Sequence, residues 1–382
     1  MTSNHRKAIL ITYLQEDAIK EAISLACTAG YNIEKIVSQR HITRSKYGIG
    51  AGKAEQVKEL VRQLESEVII FDEVMKPTQQ YNLATLCQVE IIDRERLILE
   101  IFERRASTAE SRIQIKLAQL QYEMVRAREK VRLAKKGEQP GFFGMGKYDA
   151  DVYFLDINKR AAFLKKKLEK EEKRRSLHRV QRTRAGLPTV SIAGYTSAGK
   201  TTLFNILTGE TKITGQGLFT TLTTYTRALT LNHRKILVSD TVGFINKLPA
   251  YMIDAFRSTL HELAHSALIL LVLDISEPID DVARKLYSSI NLMNELEVPM
   301  TKVIYLLNKA DLISSDNAID KSMCLGILDS KKYVLSVSAK TGLNIAQLKN
   351  LVLLLVFHDN WNGKKTVEEQ MNLVNSNESI SS

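Results

Sequence analysis

Short apolar runs at 8–14, 68–71 and 89–92 alternate with stretches such as 54–64, where apolar residues recur every three or four positions. The runs suit strands buried on both faces, and the 3.6-residue period suits amphipathic helices. Together they predict a small α/β domain with a parallel sheet over 1–94. From 94 to 136 the chain has neither Gly nor Pro and carries Ile113, Leu117, Leu120 and Met124 at helical spacing, which predicts one nearly continuous helix. The glycine-rich stretch 137–146 reads as a loop, and helical spacing resumes over 150–183. Two antiparallel helices with a glycine-rich tip thus form an arm over 95–186. After Gly186-Leu187-Pro188 strand and helix patterns alternate again through 187–358, and the Asn-, Ser- and Glu-rich end, 359–382, reads as a mobile polar tail.

A chain of 382 residues with 44% hydrophobic content buries cores for two or three domains. Its net charge of +11 calls for an anionic partner. Between Arg104 and Arg184, 23 Lys and Arg stand against 10 Asp and Glu, so the arm carries more than the whole excess and the rest is near neutral. Lys165-Lys166-Lys167 or Lys173-Arg174-Arg175 alone is a solvated helical face. Concentration of the charge on one element, with Phe142 and Phe143 at its tip, points to RNA, whose unpaired bases stack on aromatics. Cys27, Cys87 and Cys324 are too scattered for a disulfide framework or a zinc site. No apolar segment follows the N-terminal residues, and the longest apolar runs, 267–273 and 351–357, are too short to span a bilayer. The expectation is a cytoplasmic protein, monomeric and without membrane insertion.

The chemistry is concentrated in Gly194-Tyr195-Thr196-Ser197-Ala198-Gly199-Lys200-Thr201, which fits the phosphate-loop pattern G-x-x-x-x-G-K-[ST] between a strand pattern at 188–193 and a helix pattern at 202–207. The glycines admit close approach of backbone to phosphate, and the following helix N-terminus adds positive potential. Lys200 then reaches the β and γ phosphates, and the Thr201 hydroxyl is placed for Mg²⁺. A second glycine stretch, Gly48 to Ala54, fails the pattern: Tyr47 replaces the first Gly and Ala54 the hydroxyl, so a glycine turn before a helix is the preferred reading, with backbone approach to an anion left open.

Three more motifs follow in order. Asp240-Thr241-Val242-Gly243 ends an apolar run, as suits a carboxylate holding the Mg²⁺ shell through water and a glycine N–H for the γ phosphate. Asn308-Lys309-Ala310-Asp311 follows the run 303–307; the Asp311 carboxylate can accept from both guanine N1–H and the exocyclic amine, which selects GTP over ATP. Lys309 is expected along the base plane and Asn308 as a tie to the phosphate loop. Ser338-Ala339-Lys340 follows 334–337 and offers the Ala339 N–H to guanine O6. Between the first two motifs lies a threonine-rich switch-like stretch with Phe219, Thr220, Thr221, Leu222, Thr223 and Thr224, any of whose threonines could close on the metal. Phe244 follows Gly243 where many such GTPases carry a water-orienting Gln, so slow hydrolysis needing help in trans is expected.

These residues resemble the HflX family of ribosome-associated GTPases, through the phosphate loop, Phe219-Thr220-Thr221-Leu222, Asp240 to Ile245, and Ala255-Phe256-Arg257-Ser258-Thr259-Leu260. Gly50-Ala51-Gly52-Lys53, Pro77 to Leu83, Asp93-Arg94, Leu97 to Phe102 and Gln114 to Tyr122 extend the likeness over about 8–356. The resemblance implies a P-loop GTPase domain behind a small α/β domain and a helical arm. It implies Thr221 as the switch threonine, Thr201 and Thr221 as Mg²⁺ ligands, GTP and GDP as nucleotides, and catalytic roles for Lys200, Thr221 and Gly243. It also implies the large ribosomal subunit as partner, with the arm on rRNA, in ribosome splitting, rescue or recycling; the residues alone also allow a GTP-timed RNA-binding or assembly module. In three places the chain departs from the family: Gly144 to Asp151 replaces a Gly-rich arm stretch, Ser197 stands where Asn is usual, and Thr223-Thr224-Tyr225 replaces Asp-Pro-Thr.

Overall fold

The computed structural model describes residues 6–42, 46–135, 147–210, 225–241, 243–245, 249–327 and 333–357. The arm tip with Phe142 and Phe143 and the tail 359–382 lie outside the described residues. Two compact units emerge, one reaching Arg174 and including the short helix Ala250–Ala255, the other running from Arg175 without that segment.

The first unit contains β1 (Arg6–Thr12), α1 (Glu16–Thr28), β2 (Tyr31–Ser38), α2 (Ala51–Leu64), β3 (Val68–Phe71), α3 (Pro77–Cys87) and β4 (Glu90–Asp93). Its sheet has order β2-β1-β3-β4 and is parallel throughout. Ile9, Leu10 and Ile11 on β1 and all of β3 are buried, as an apolar run covered by helices on both faces requires. The glycine stretch forms a turn against this core: Gly48 has φ +81°, and a Cβ there would lie 2.6 Å from the Phe71 ring. Lys53 of α2 donates to the Ser38 carbonyl at 2.6 Å, pinning the helix to β2.

Polar residues gather at the carboxyl ends of these strands. Thr12 Oγ1 donates to Asp72 at 2.7 Å, and Arg94 pairs with Asp72 at 2.5 Å and with Glu21. Burial pushes the Asp72 carboxyl up, against the lowering by Arg94 and Thr12. Asp93, fully buried, caps α4 (Arg94–Arg105) by accepting from Arg96 N at 3.0 Å, and takes Tyr122 OH at 3.0 Å and Arg126.

The predicted long helix is broken. α4 ends before an extended Ala106, and α5 (Ala109–Lys135) restarts behind Thr108. Thr108 Oγ1 accepts from Ser111 N at 3.1 Å while Ser111 Oγ accepts from Thr108 N at 3.2 Å, a reciprocal cap that outcompetes helix continuation. α5 packs on α6 (Lys147–Arg184) through Leu117, Leu120, Ala127, Ile157 and Ala161, while Lys165, Lys166 and Lys167 stay exposed.

The second unit holds β5 (Thr189–Gly194), α7 (Lys200–Thr208), β6 (Tyr225–Leu231) and β7 (Arg234–Asp240). After α8 (Ala250–Ala255), which packs with α5 in the first unit, come α9 (Arg257–Ala264), β8 (Leu268–Asp274), α10 (Ile279–Glu295), β9 (Val303–Asn308), α11 (Ser315–Cys324), β10 (Tyr333–Ser336) and α12 (Ile345–Phe357). The sheet order is β10-β9-β8-β5-β7-β6, with β6 antiparallel and the rest parallel. β8 is buried along its whole length, and Ile192, Phe204, Leu270 and Leu306 lie in the core that α7 and α12 close. This is the expected α/β fold. No helix among the described residues is long and apolar enough to cross a membrane.

Removing one partner from a buried ion pair strands the other charge. Arg94→Ala is therefore expected to cost about 3–5 kcal/mol, read from urea unfolding of the full chain; a change below about 1 kcal/mol would show that the cluster does not hold the sheet ends together.

Candidate functional site

The phosphate loop leaves β5 at Gly194, whose φ is +137° and where a Cβ would come 2.3 Å from the Val272 carbonyl oxygen on β8. The strand can turn there only without a side chain. Exposed Ser197 takes a left-handed φ of 64°, and Gly199 at φ +95° opens α7. A Cβ on Gly199 would meet Asn308 Nδ2 at 2.2 Å, so this glycine admits a neighbouring side chain as well as a tight turn.

Asn308 ends β9, buried at 2% exposure. Its Nδ2 donates to the Ala198 carbonyl at 2.7 Å, and its Oδ1 accepts from Ala339 N at 2.9 Å. One carboxamide thus joins the phosphate loop, the Asn308-Lys309-Ala310-Asp311 turn and the Ser338-Ala339-Lys340 turn. The last two are also tied by Ala310 N to Val337 O at 3.1 Å, and Ser338 Oγ accepts from Thr341 N at 3.1 Å. Lys309, at φ 63°, pairs with Asp274 at the end of β8, and Asp311 is exposed in the 3-10 turn Ala310–Leu312. Asp274 was not singled out in the sequence; its signal is a carboxylate ending a buried apolar strand, the same signal that marks Asp240.

On the other side of the loop, Thr201 Oγ1 lies 3.1 Å from Asp240 Oδ2, and Thr241 Oγ1 donates to the Ile192 carbonyl at 2.7 Å. A hydroxyl beside a carboxylate is a hard oxygen donor set of the kind that fits Mg²⁺. The Asp240 motif is zipped to the loop: Phe244 N donates to Gly194 O at 3.0 Å, and Thr196 N donates to Phe244 O at 2.8 Å. Phe244 is buried, while Gly243 lies so close that a Cβ would come 2.8 Å from Thr196 Cγ2 and 3.0 Å from Lys200 Nζ. Lys200 is buried and donates to the Tyr195 carbonyl at 2.7 Å; burial lowers its pKa to about 8, with Asp240 pulling it back up. Tyr195, Thr196, Ala198 and Gly199 complete the loop, whereas Phe219, Thr220, Thr221, Leu222, Thr223 and Val242 lie outside the described residues, as does Thr224.

Three family models tile the chain: GTP-binding GTPase N-terminal at 16–103, GTP-binding GTPase Middle Region at 105–182, and 50S ribosome-binding GTPase at 189–309. GTPase HflX of Methanocaldococcus jannaschii is 43% identical over 326 residues, covering 85% of this chain and 79% of its own. The chain belongs to the HflX family of GTPases. GTPase HflX of Escherichia coli is 32% identical over 334 residues, covering 86% of this chain and 77% of its own. Among solved structures, a GTP-binding protein from the hyperthermophilic archaeon Sulfolobus solfataricus in complex with GDP is 28% identical, with a TM-score of 0.51 over 92% of this chain and 98% of that one. HflX membership makes the chain a GTP-binding protein and a GTPase, in agreement with the sequence reading.

Asn308→Ala leaves the Ala198 carbonyl and the Ala339 N–H unpaired. The expected result is a loss of about 2–4 kcal/mol in urea unfolding, together with a drop of more than about tenfold in fluorescent-GDP affinity; wild-type values in both would remove Asn308 from its bridging role.

Lys200 gives a pH test. A bound polyphosphate favours the charged amine, so its pKa in the complex exceeds the free value of about 8. GDP binding should take up a proton above about pH 8, and affinity should fall by up to about tenfold per pH unit there, with neither effect near pH 6. Calorimetry in buffers of different ionisation enthalpy checks this.

Proposed function

We propose that this HflX-family protein binds GTP with Mg²⁺, hydrolyses it slowly by itself, and is stimulated by the large ribosomal subunit in ribosome splitting, rescue or recycling. The observation carrying the reading is the match of 189–309 to the 50S ribosome-binding GTPase model, in a chain whose net positive charge lies on the helical arm. Exposed Lys165, Lys166 and Lys167 suit phosphate contact along rRNA. In this reading 1–94 is a leading α/β domain, 95–186 the rRNA-directed arm, 187–358 the GTPase domain and 359–382 a tail. The protein acts as a monomer in the cytoplasm.

Within the site, Lys200 takes the β and γ phosphates, the Gly243 N–H the γ phosphate, and Thr201 and Thr221 the metal, which neutralises charge developing on the phosphates. Asp311 reads guanine, and Lys309, held by Asp274, lies along the base. Phe244 supports slow intrinsic turnover: its side chain is apolar and buried, and its backbone is committed to the phosphate loop. A partner that orders the active site supplies what this position lacks.

Steady-state GTP turnover with and without purified large subunits tests the proposal. Stimulation of about 10³-fold or more is expected. Unchanged turnover at low salt, where subunit binding is favoured, would refute it.

A further inference from the structure

At the end of the second sheet away from the phosphate loop, a cleft of about 810 Å³ opens beside Thr189, the first residue of β5, and Lys302, which precedes β9. Its remaining walls come from the last turns of α6 and the ends of α9 and α12, all within the second unit. Arg179, Arg182, Arg184 and Lys302 line it, and its carboxylate, Glu262, is already paired with Arg175 at 3.9 Å.

Part of this charge has a local cause. Helices α6, α9 and α12 all end here, and their terminal carbonyls attract cations. That does not account for Arg182, whose Nε is buried yet finds no hydrogen-bond partner among the described residues, so no helix carbonyl satisfies it. Lys302 spends one N–H on the Ser266 carbonyl, 3.2 Å away, and an ammonium has three to give. Between the cations the walls are apolar, with Val180 47% exposed and Phe357 among the lining residues, its ring also met by the Arg234 guanidinium at 4.9 Å. Cations that donate to phosphate oxygens, flanked by apolar surface suited to a ring face, match one or two unpaired nucleotides in chemistry and size.

We infer that this cleft is a second nucleic-acid site, taking the phosphates and one base of single-stranded RNA at the opposite end of the GTPase sheet from the nucleotide loop. Its test is independent of stimulation by the ribosomal subunit.

The probe is a fluorescent single-stranded oligoribonucleotide carrying 4-thiouridine, mixed with the full chain under saturating GDP so that the phosphate loop is filled. Irradiation should cross-link peptides within 175–189 or around Lys302. Arg182→Ser with Lys302→Ser should weaken binding about tenfold at low salt and reduce the slope of log K against log salt by about 0.7 for each phosphate no longer neutralised. Arg182→Lys should keep most of that slope, and thermal unfolding with GDP should match wild type in all variants. Cross-links confined to 147–174, or an unchanged salt slope in the double variant, would overturn the inference. Displacement of the oligonucleotide from the cleft by millimolar pyrophosphate or GMP at equal efficiency would overturn it in favour of a free phosphate ligand. If large subunits fail to stimulate turnover while cleft cross-links persist, the function proposed above falls and this site stands.

Discussion

The nucleotide site depends on one buried carboxamide. Three loops leave the carboxyl ends of β5, β9 and β10, and each alone is a short excursion free to splay. Asn308 donates to the first and accepts from the third while itself belonging to the second, so all three share one geometry. Gly199 exists in that form because a side chain there would occupy the place of the Asn308 amide. The spacing of the phosphate loop and the identity of a residue more than a hundred positions away are thus a single constraint. Hydrogen bonds of this kind act mainly by the cost of leaving them unmade in a buried place.

The phosphate loop is correspondingly lean in charge. Lys200 is surrounded by protein, its amine held on the Tyr195 carbonyl, and the field that welcomes anions comes from loop N–H groups and the start of α7. The Asp240 segment is bonded to this loop through Phe244 and Thr196. Shortly beyond it the chain enters α8, which belongs to the first unit, where Phe256 sets its ring edge-on to Phe102 at 5.0 Å.

Much of this was legible in the residues. Apolar runs located the strands of both sheets, and the fixed spacing of Gly194, Gly199, Lys200 and Thr201 located the loop, because few backbones satisfy that pattern. The tie from Asn308 to the loop was also legible; the second half of its job, holding Ala339, was not, since sequence gives no distance between two turns. The break at Ala106 was hidden because helix propensity sums over many residues, whereas the break is decided by two hydroxyls, Thr108 and Ser111, capping one another. Asp274 was missed for a different reason: its role is to hold Lys309, and a side chain that acts through another carries no motif of its own. The assignment of α8 to the first unit follows from tertiary packing that local pattern does not encode.

In the two sites proposed above, the two ends of the GTPase sheet hold phosphate in opposite ways, and the fold dictates which is used where. In a parallel α/β sheet the carboxyl ends of the strands meet helix N-termini, so backbone dipoles already favour anions and glycines matter more than cations. At the amino ends the helices finish, their carbonyls repel anions, and any anion site there needs side-chain cations beyond those the carbonyls engage. Arg179, Arg182, Arg184 and Lys302 stand at that end, while among the loop residues that open α7 Lys200 is the basic one. The lean loop suits a nucleotide that must leave after each turnover, because backbone donors are fixed and few counter-charges need rearranging. A cluster of long, flexible cations suits a polymer whose phosphates arrive at less regular positions, and its affinity falls as salt rises.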